Sequence, residues 1–134
     1  MTVDLNGYWK MISNDNFNEY MKALDVKAAM RKIAKKLKLN KEIIQDGDHI
    51  IIKTLSKLRN YNMDFYVGKE FEEDLTGLDD RKCMTTISWE GDRLVCVQKG
   101  EKEGRGWTQW VEEDQLHLEL RVCGVVCKQV FKKT

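Results

Sequence analysis

The chain contains no proline, so none of its turns is rigidified by that residue. It has two histidines and four cysteines, with no CxxC pair and no histidine at metal-ligand spacing, so packed, reduced thiols are the preferred reading. Cys123 and Cys127 flank Gly124, and a bond between them is conceivable. No apolar run reaches membrane-spanning length, and the opening Met-Thr-Val-Asp-Leu-Asn does not read as a signal peptide. The chain is therefore expected to be made and kept in the cytoplasm. An excess of one charge is also missing. The 23 Lys and Arg balance the 22 Asp and Glu to a net +1, which does not support a whole-molecule attraction to nucleic acid.

With 134 residues, 42% hydrophobic and 34% charged, the chain suits one domain (1–134) with a real core. It shows no linker, repeat or low-complexity stretch. Asn14-Asp15-Asn16 offers capping side chains for a helix in which Phe17, Tyr20, Met21 and Leu24 recur at helical spacing. A second segment carries an apolar stripe of Ala29, Met30, Ile33, Ala34 and Leu37. Lys27, Arg31, Lys35 and Lys38 form a basic stripe on another face. Beyond Asn40 the period changes. Short extended runs are cut by Asp46-Gly47-Asp48, Gly68, Thr76-Gly77, Glu90-Gly91-Asp92, Gly100, Glu112-Glu113-Asp114 and Gly124. With Tyr8–Ile12 they make about ten strands, the regular spacing of an antiparallel barrel or sandwich.

A barrel of that many strands is too wide for its own side chains to fill, so a ligand cavity is expected. The stretch Gly100–Trp110 indicates what lines it. On a strand, side chains two apart share a face, which pairs Trp107 with Gln109. A large apolar ring beside one neutral amide suits a ligand that is mostly hydrocarbon with an uncharged hydrogen-bonding end. The alternative is a core tryptophan and a glutamine bonded to backbone. Gln129 and Phe131 repeat the spacing on the last strand, and Lys41 begins the first strand after the helices. A buried carboxylate ligand calls for a guanidinium. Glutamine can instead serve an alcohol or aldehyde without demanding charge. Lys41 could serve an alcohol oxygen, serve a carboxylate less well than arginine, or lie solvated at a strand end. Catalysis finds little support. The carboxylates of Glu70, Glu72, Glu73 and Asp74 read as surface, and His49 and His117 have no evident partner. A single-stranded nucleic-acid binder is disfavoured because the lysines gather on the second helix instead of interleaving with aromatics. A fatty-acid carrier remains the strongest rival.

Gly7-Tyr8-Trp9-Lys10-Met11, Tyr20-Met21-Lys22-Ala23-Leu24-Asp25, Arg31-Lys32-Ile33-Ala34, Gln45-Asp46-Gly47-Asp48, Arg59-Asn60-Tyr61, Val67-Gly68-Lys69-Glu70-Phe71, Cys96-Val97-Gln98-Lys99-Gly100, Arg105-Gly106-Trp107 and Cys127-Lys128-Gln129-Val130-Phe131 carry a resemblance over essentially the whole chain. The sequence resembles the intracellular lipid-binding proteins and, within them, the cellular retinol-binding proteins. The resemblance implies an all-β fold: a ten-stranded antiparallel β-clam with a helix-turn-helix lid at about 14–37. It implies a monomeric cytoplasmic carrier without cofactor, binding all-trans-retinol or retinal with the ring at the portal and the hydroxyl deep inside. The implied hydroxyl partners are Gln109 and Lys41. Trp107, Phe17, Tyr20, Met21, Ala34, Thr54, Arg59, Met63 and Leu78 are the other implied ligand-binding positions, and Leu58 and Gln129 are further candidates. Delivery to membranes, or to membrane-bound retinol acyltransferase and retinol dehydrogenases, is implied as well. Carboxylate-binding relatives carry Arg-x-Tyr where this chain has Gln129-Val130-Phe131. The chain departs from the family at Lys57-Leu58, where an aromatic is usual, and at Leu39, where proline is usual; both bear on entry and release.

Overall fold

A computed structural model describes residues 3–134, so the first two residues of the expected domain lie outside the described ones. The order is β1 (Gly7–Asp15), α1 (Phe17–Ala23), α2 (Ala28–Ala34), β2 (Asn40–Asp46), β3 (His49–Leu55), β4 (Tyr61–Tyr66), β5 (Phe71–Asp74), β6 (Lys82–Glu90), β7 (Arg93–Lys99), β8 (Gly106–Glu112), β9 (Gln115–Val122) and β10 (Val125–Lys133). The ten strands form one antiparallel sheet in the order β4-β3-β2-β1-β10-β9-β8-β7-β6-β5. Pairing of the first strand with the last rolls this sheet into a nearly closed barrel. Its edges, β4 and β5, share no ladder, and side chains span the gap instead. The Tyr61 hydroxyl donates to Glu73 Oε2 at 2.6 Å. The rings of Phe65 and Phe71 stack with centroids 6.1 Å apart.

The turns carry the twist that closes the barrel. Glu113 and Asp114 both have positive φ (53° and 64°), as do Cys123 and Gly124 (50° and 79°). Two such residues in succession make the hairpin turn whose hand matches twisted strands. Cys123 is thereby held exposed at a turn while Cys127 is buried among the core residues of β10, and all four cysteines are free thiols. The conceivable Cys123–Cys127 bond is not formed. A different constraint operates at Gly106. A Cβ there would lie 2.2 Å from the Cys96 carbonyl oxygen, so only glycine lets β8 approach β7 this closely.

Inward residues of the barrel form one cluster that includes Trp9, Ile43, Ile50, Phe65, Ile87, Leu94, Leu116 and Phe131. A second cluster, under the lid, joins Phe17, Tyr20, Met21, Leu24 and Val26 to Val122 and Cys127. Each large side chain buried this way contributes roughly 1.5–3 kcal/mol. These contacts place α1 against β9 and β10. Asn14-Asp15-Asn16 does not cap α1 as expected. Asn14 and Asp15 belong to β1, while Asn16 adopts a left-handed conformation (φ 68°) and makes no side-chain cap. Its Nδ2 donates instead to the Val126 carbonyl at 2.9 Å, fixing the chain where strand becomes helix.

The second helix is less buried than the first. No residue of α2 is buried, and Met30 and Ile33 of its apolar stripe are 40% and 50% exposed. The helix roofs an open space; Ala34 packs against the cluster under the lid, whereas Ala29 and Ile33 are exposed and do not border that space. Met30, Ala34 and Leu37 look into that space.

Candidate functional site

The space beneath the lid is a cavity of about 230 Å³. Trp107 and Gln109 enter it side by side from β8. Lys41 and Thr54 enter from β2 and β3, where they are directly paired across the ladder. Phe17, Tyr20 and Met21 come down from α1 and Ala34 from α2. Leu58, Arg59 and Leu78 surround the mouth, with Met63 and Gln129 lining the interior walls. All thirteen positions singled out in the sequence therefore border one cavity.

Polar groups are few here. Gln109 is 1% exposed, and its Nε2 has no hydrogen-bond partner among the described residues. Gln129 is equally buried, but its Nε2 donates to Asn14 Oδ1 at 3.2 Å, so that amide is already engaged in tying β10 to β1. Lys41 Nζ donates to Thr54 Oγ1 at 2.7 Å. It also lies 5.9 Å from the centre of the Phe131 ring. Burial lowers the pKa of this ammonium to about 8. Burial pushes the Tyr20 phenol well above its ordinary value. Three donor-capable groups thus meet a largely apolar interior: a free amide, a weakened ammonium and a hydroxyl.

One side of the cavity was not legible in the sequence. Glu73, expected at the surface, is 3% exposed and borders the cavity. Besides Tyr61, its carboxylate accepts from Thr85 Oγ1 at 2.8 Å and from Gln98 Nε2 at 2.9 Å. Three donors compensate the buried charge. Glu73 stands two residues after Phe71 on a strand, so alternation already placed both on one face; the run of acids around it concealed this. Next to this group, Arg105 makes a two-pronged bond to Asp79, with Nη1 at 2.9 Å and Nη2 at 3.1 Å, and both side chains are essentially buried. The guanidinium in the cavity wall is thus already committed to a carboxylate of the protein itself.

Asp79 is shared with Arg81, which also reaches the lid. Arg81 donates to Asp79 at 3.0 Å, to Asp25 at 2.8 Å and to the Leu24 carbonyl at 2.9 Å, and it pairs with Glu101. Lys102 adds a 2.9 Å contact to Asp25. The turn between α1 and α2 is therefore fastened to the barrel by ion pairs and hydrogen bonds, whereas among the described residues no side chain of α2 makes such a bond to the barrel. At the mouth, Arg59 Nη1 donates to the Gly77 carbonyl at 2.7 Å and links the loops on either side.

The basic stripe is partly dismantled. Arg31 turns back to α1, donating to Asn18 Oδ1 at 3.2 Å and to the Val26 carbonyl at 2.6 Å, whereas Lys27, Lys35 and Lys38 are exposed. Leu39, which stands where proline is usual, packs against both core clusters. His49 does have a partner: its Nε2 lies 2.6 Å from Asp64 Oδ1, and its ring stacks on Tyr66. His117 stacks on Trp110. Neither histidine borders the cavity. Among the described residues no three His, Cys, Asp or Glu gather as metal ligands, and no helix is long and apolar enough to cross a membrane.

A rolled ten-stranded sheet, a two-helix lid and an apolar interior with a few polar groups define the intracellular lipid-binding protein fold. The chain belongs to the lipocalin / cytosolic fatty-acid binding protein family, whose model matches residues 6–134. Within it, the chain is 75% identical over 133 residues to retinol-binding protein 1 of Mus musculus, covering 99% of this chain and 98% of that protein. A solved structure, Human cRBP IV, superposes with a TM-score of 0.97 at 55% identity over 98% of this chain and 99% of the other. The REP1-NXSQ fatty acid transporter superposes with a TM-score of 0.89 at 34% identity over 98% and 96% of the two chains.

Proposed function

We propose that this chain is an intracellular, monomeric, non-enzymatic carrier of all-trans-retinol and of retinal, built as one lipid-binding domain without cofactor. The single observation that carries the reading is the unpartnered, buried amide of Gln109 beside Trp107. An alcohol oxygen can accept from Gln109 Nε2 and from Lys41 Nζ without bringing a charge inside. The names of the related retinol-binding proteins support the same assignment. Of the two cavity-lining arginines, Arg105 is already held by Asp79 and Arg59 by the Gly77 carbonyl at the mouth. A fatty-acid carboxylate would therefore compete with a bidentate internal partner, which disfavours the rival carrier despite the shared fold.

Burial supplies most of the affinity. A ligand of this size covers about 400 Å² of apolar surface, on the order of 10 kcal/mol gross. Immobilisation takes back several kcal/mol of this. The polar contacts add roughly 1–3 kcal/mol and set specificity. The ring lies toward the mouth lined by Leu58, Arg59 and Leu78, with Phe17, Tyr20, Met21, Ala34, Thr54, Met63 and Gln129 along the walls. Cargo leaves by transient docking of the lid on anionic membranes, or on membrane-bound retinol acyltransferase and retinol dehydrogenases. The exposed Lys27, Lys35 and Lys38 and the exposed Met30 and Ile33 suit such a surface. The protein acts in the cytoplasm and binds no nucleic acid.

Parallel titrations with retinol, retinal, retinoate and oleate test the assignment. Retinol should quench tryptophan fluorescence with one-to-one stoichiometry, because Trp107 touches the polyene. Tight oleate binding with no response to retinol would transfer the assignment to the fatty-acid carriers.

A further inference from the structure

The cavity has a second polar corner, away from Gln109 and Lys41, with no task in the reading above. Gln98 lies on β7 and Arg105 immediately before β8, and the Gln98 backbone N–H donates to the Arg105 carbonyl at 2.9 Å. Both side chains border the cavity, and both are more than nine-tenths buried. Most of their hydrogen-bonding capacity is used. Gln98 Nε2 donates to Glu73 Oε1 at 2.9 Å. Arg105 Nη1 and Nη2 donate to Asp79, and Nη1 also approaches Cys83 Sγ at 3.7 Å. Two atoms have no partner among the described residues: Gln98 Oε1 and Arg105 Nε. The first only accepts and the second only donates. Buried polar atoms are normally satisfied, so an acceptor and a donor left over on neighbouring segments of one cavity wall call for an explanation.

A hydroxyl group answers both, since it donates through its hydrogen and accepts through its oxygen. A ketone answers only Arg105 Nε and sets its own lone pairs beside Gln98 Oε1. A hydrocarbon answers neither. Arg105 and Gln109 lie four residues apart along one chain, a span of about 13 Å in an extended strand. That separation is comparable to the distance from the alcohol end to the ring of an extended polyene alcohol. We propose that Gln98 and Arg105 form a second oxygen-binding subsite, which selects retinoid alcohols carrying a further hydroxyl on the ring. The inference rests on the retinol-carrier reading and adds a substrate class to it.

The test uses the full-length protein and three probes: retinol, 4-hydroxyretinol and 4-oxoretinol. The hydroxylated ring should bind roughly fivefold or more tightly than the ketone, the ratio that one additional satisfied hydrogen bond supplies. Gln98→Met should bring the hydroxyl-to-ketone ratio close to one. Because that change also removes a donor from Glu73, a measurement on the unaltered protein accompanies it. The side-chain Nε–H resonance of Arg105 should move on adding 4-hydroxyretinol and stay in place on adding retinol. Equal affinity for the two oxidised rings, or an Arg105 resonance indifferent to the ring hydroxyl, overturns the subsite and leaves retinol binding intact. Failure of plain retinol to bind one-to-one is a different result and overturns the carrier reading itself.

Discussion

Lys41 and Thr54 face each other across the β2–β3 ladder, and the lysine Nζ donates to the threonine Oγ1 at 2.7 Å on the cavity side. Burial lowers the pKa of this lysine to about 8. An unfolded chain keeps that proton until the ordinary lysine range. Between the two values the unfolded state holds more protons, so stability rises with pH across this window. Below about pH 8 the folded protein carries the whole cost of the buried ammonium. Lys41→Met should therefore raise unfolding free energy at pH 7 by on the order of 1–3 kcal/mol. The advantage should shrink as pH climbs through the window. Urea midpoints at neutral and strongly alkaline pH check this, and a variant no more stable than wild type at pH 7 refutes it.

Gln109 lines the cavity with an unpartnered amide nitrogen, and the proposed preference for an uncharged ligand rests on it. Gln109→Arg should exchange preference from retinol toward retinoate, by a factor of roughly ten or more. Competitive titration with the two ligands measures it. Unchanged selectivity would mean that residue 109 does not meet the ligand's end group.

Arg81 fastens the α1–α2 turn to the barrel through Leu24, Asp25 and Asp79. Arg81→Met should free the lid, hasten retinol release several-fold and speed amide exchange at residues 24–26. Release kept at the wild-type rate, with faster exchange at that turn, would separate the turn from the exit route.

Lys35→Glu with Lys38→Glu should slow retinol transfer to anionic vesicles and leave equilibrium affinity near that of wild type. The effect should fade with added salt, because exposed charges are screened over about 10 Å at 0.1 M. Equal transfer rates at low salt would return the helix face to a merely solvated role.

Gly106→Ala should destabilise the protein by more than about 2 kcal/mol, through the clash that a methyl group makes with the Cys96 carbonyl. Urea unfolding reads this directly. A neutral result would show that β7 and β8 can part without cost.

Strand existence and facing were written in the residues themselves. Gly47 and Gly91 mark turns, and the strict alternation around Trp107 and Gln109 places both inward wherever that strand runs. Turn residues and a period of two act over a few neighbours, so they survive any tertiary arrangement. The neutral amide facing an apolar interior, and with it the kind of ligand expected, followed from the same local rule. Other features could not be read locally. Glu73 looked like surface because its neighbours are acidic, and only folding brought Tyr61, Thr85 and Gln98 to it from three other strands. The apolar stripe of α2 was legible, but what it faces was not. Whether such a stripe packs or roofs a space depends on what lies opposite, and that is decided by how far the barrel opens. The same holds for Gln109 and Gln129, alike in sequence and in burial. Asn14 occupies the amide of Gln129 and not that of Gln109, so chain closure, rather than residue type, left one of these two amides unpartnered.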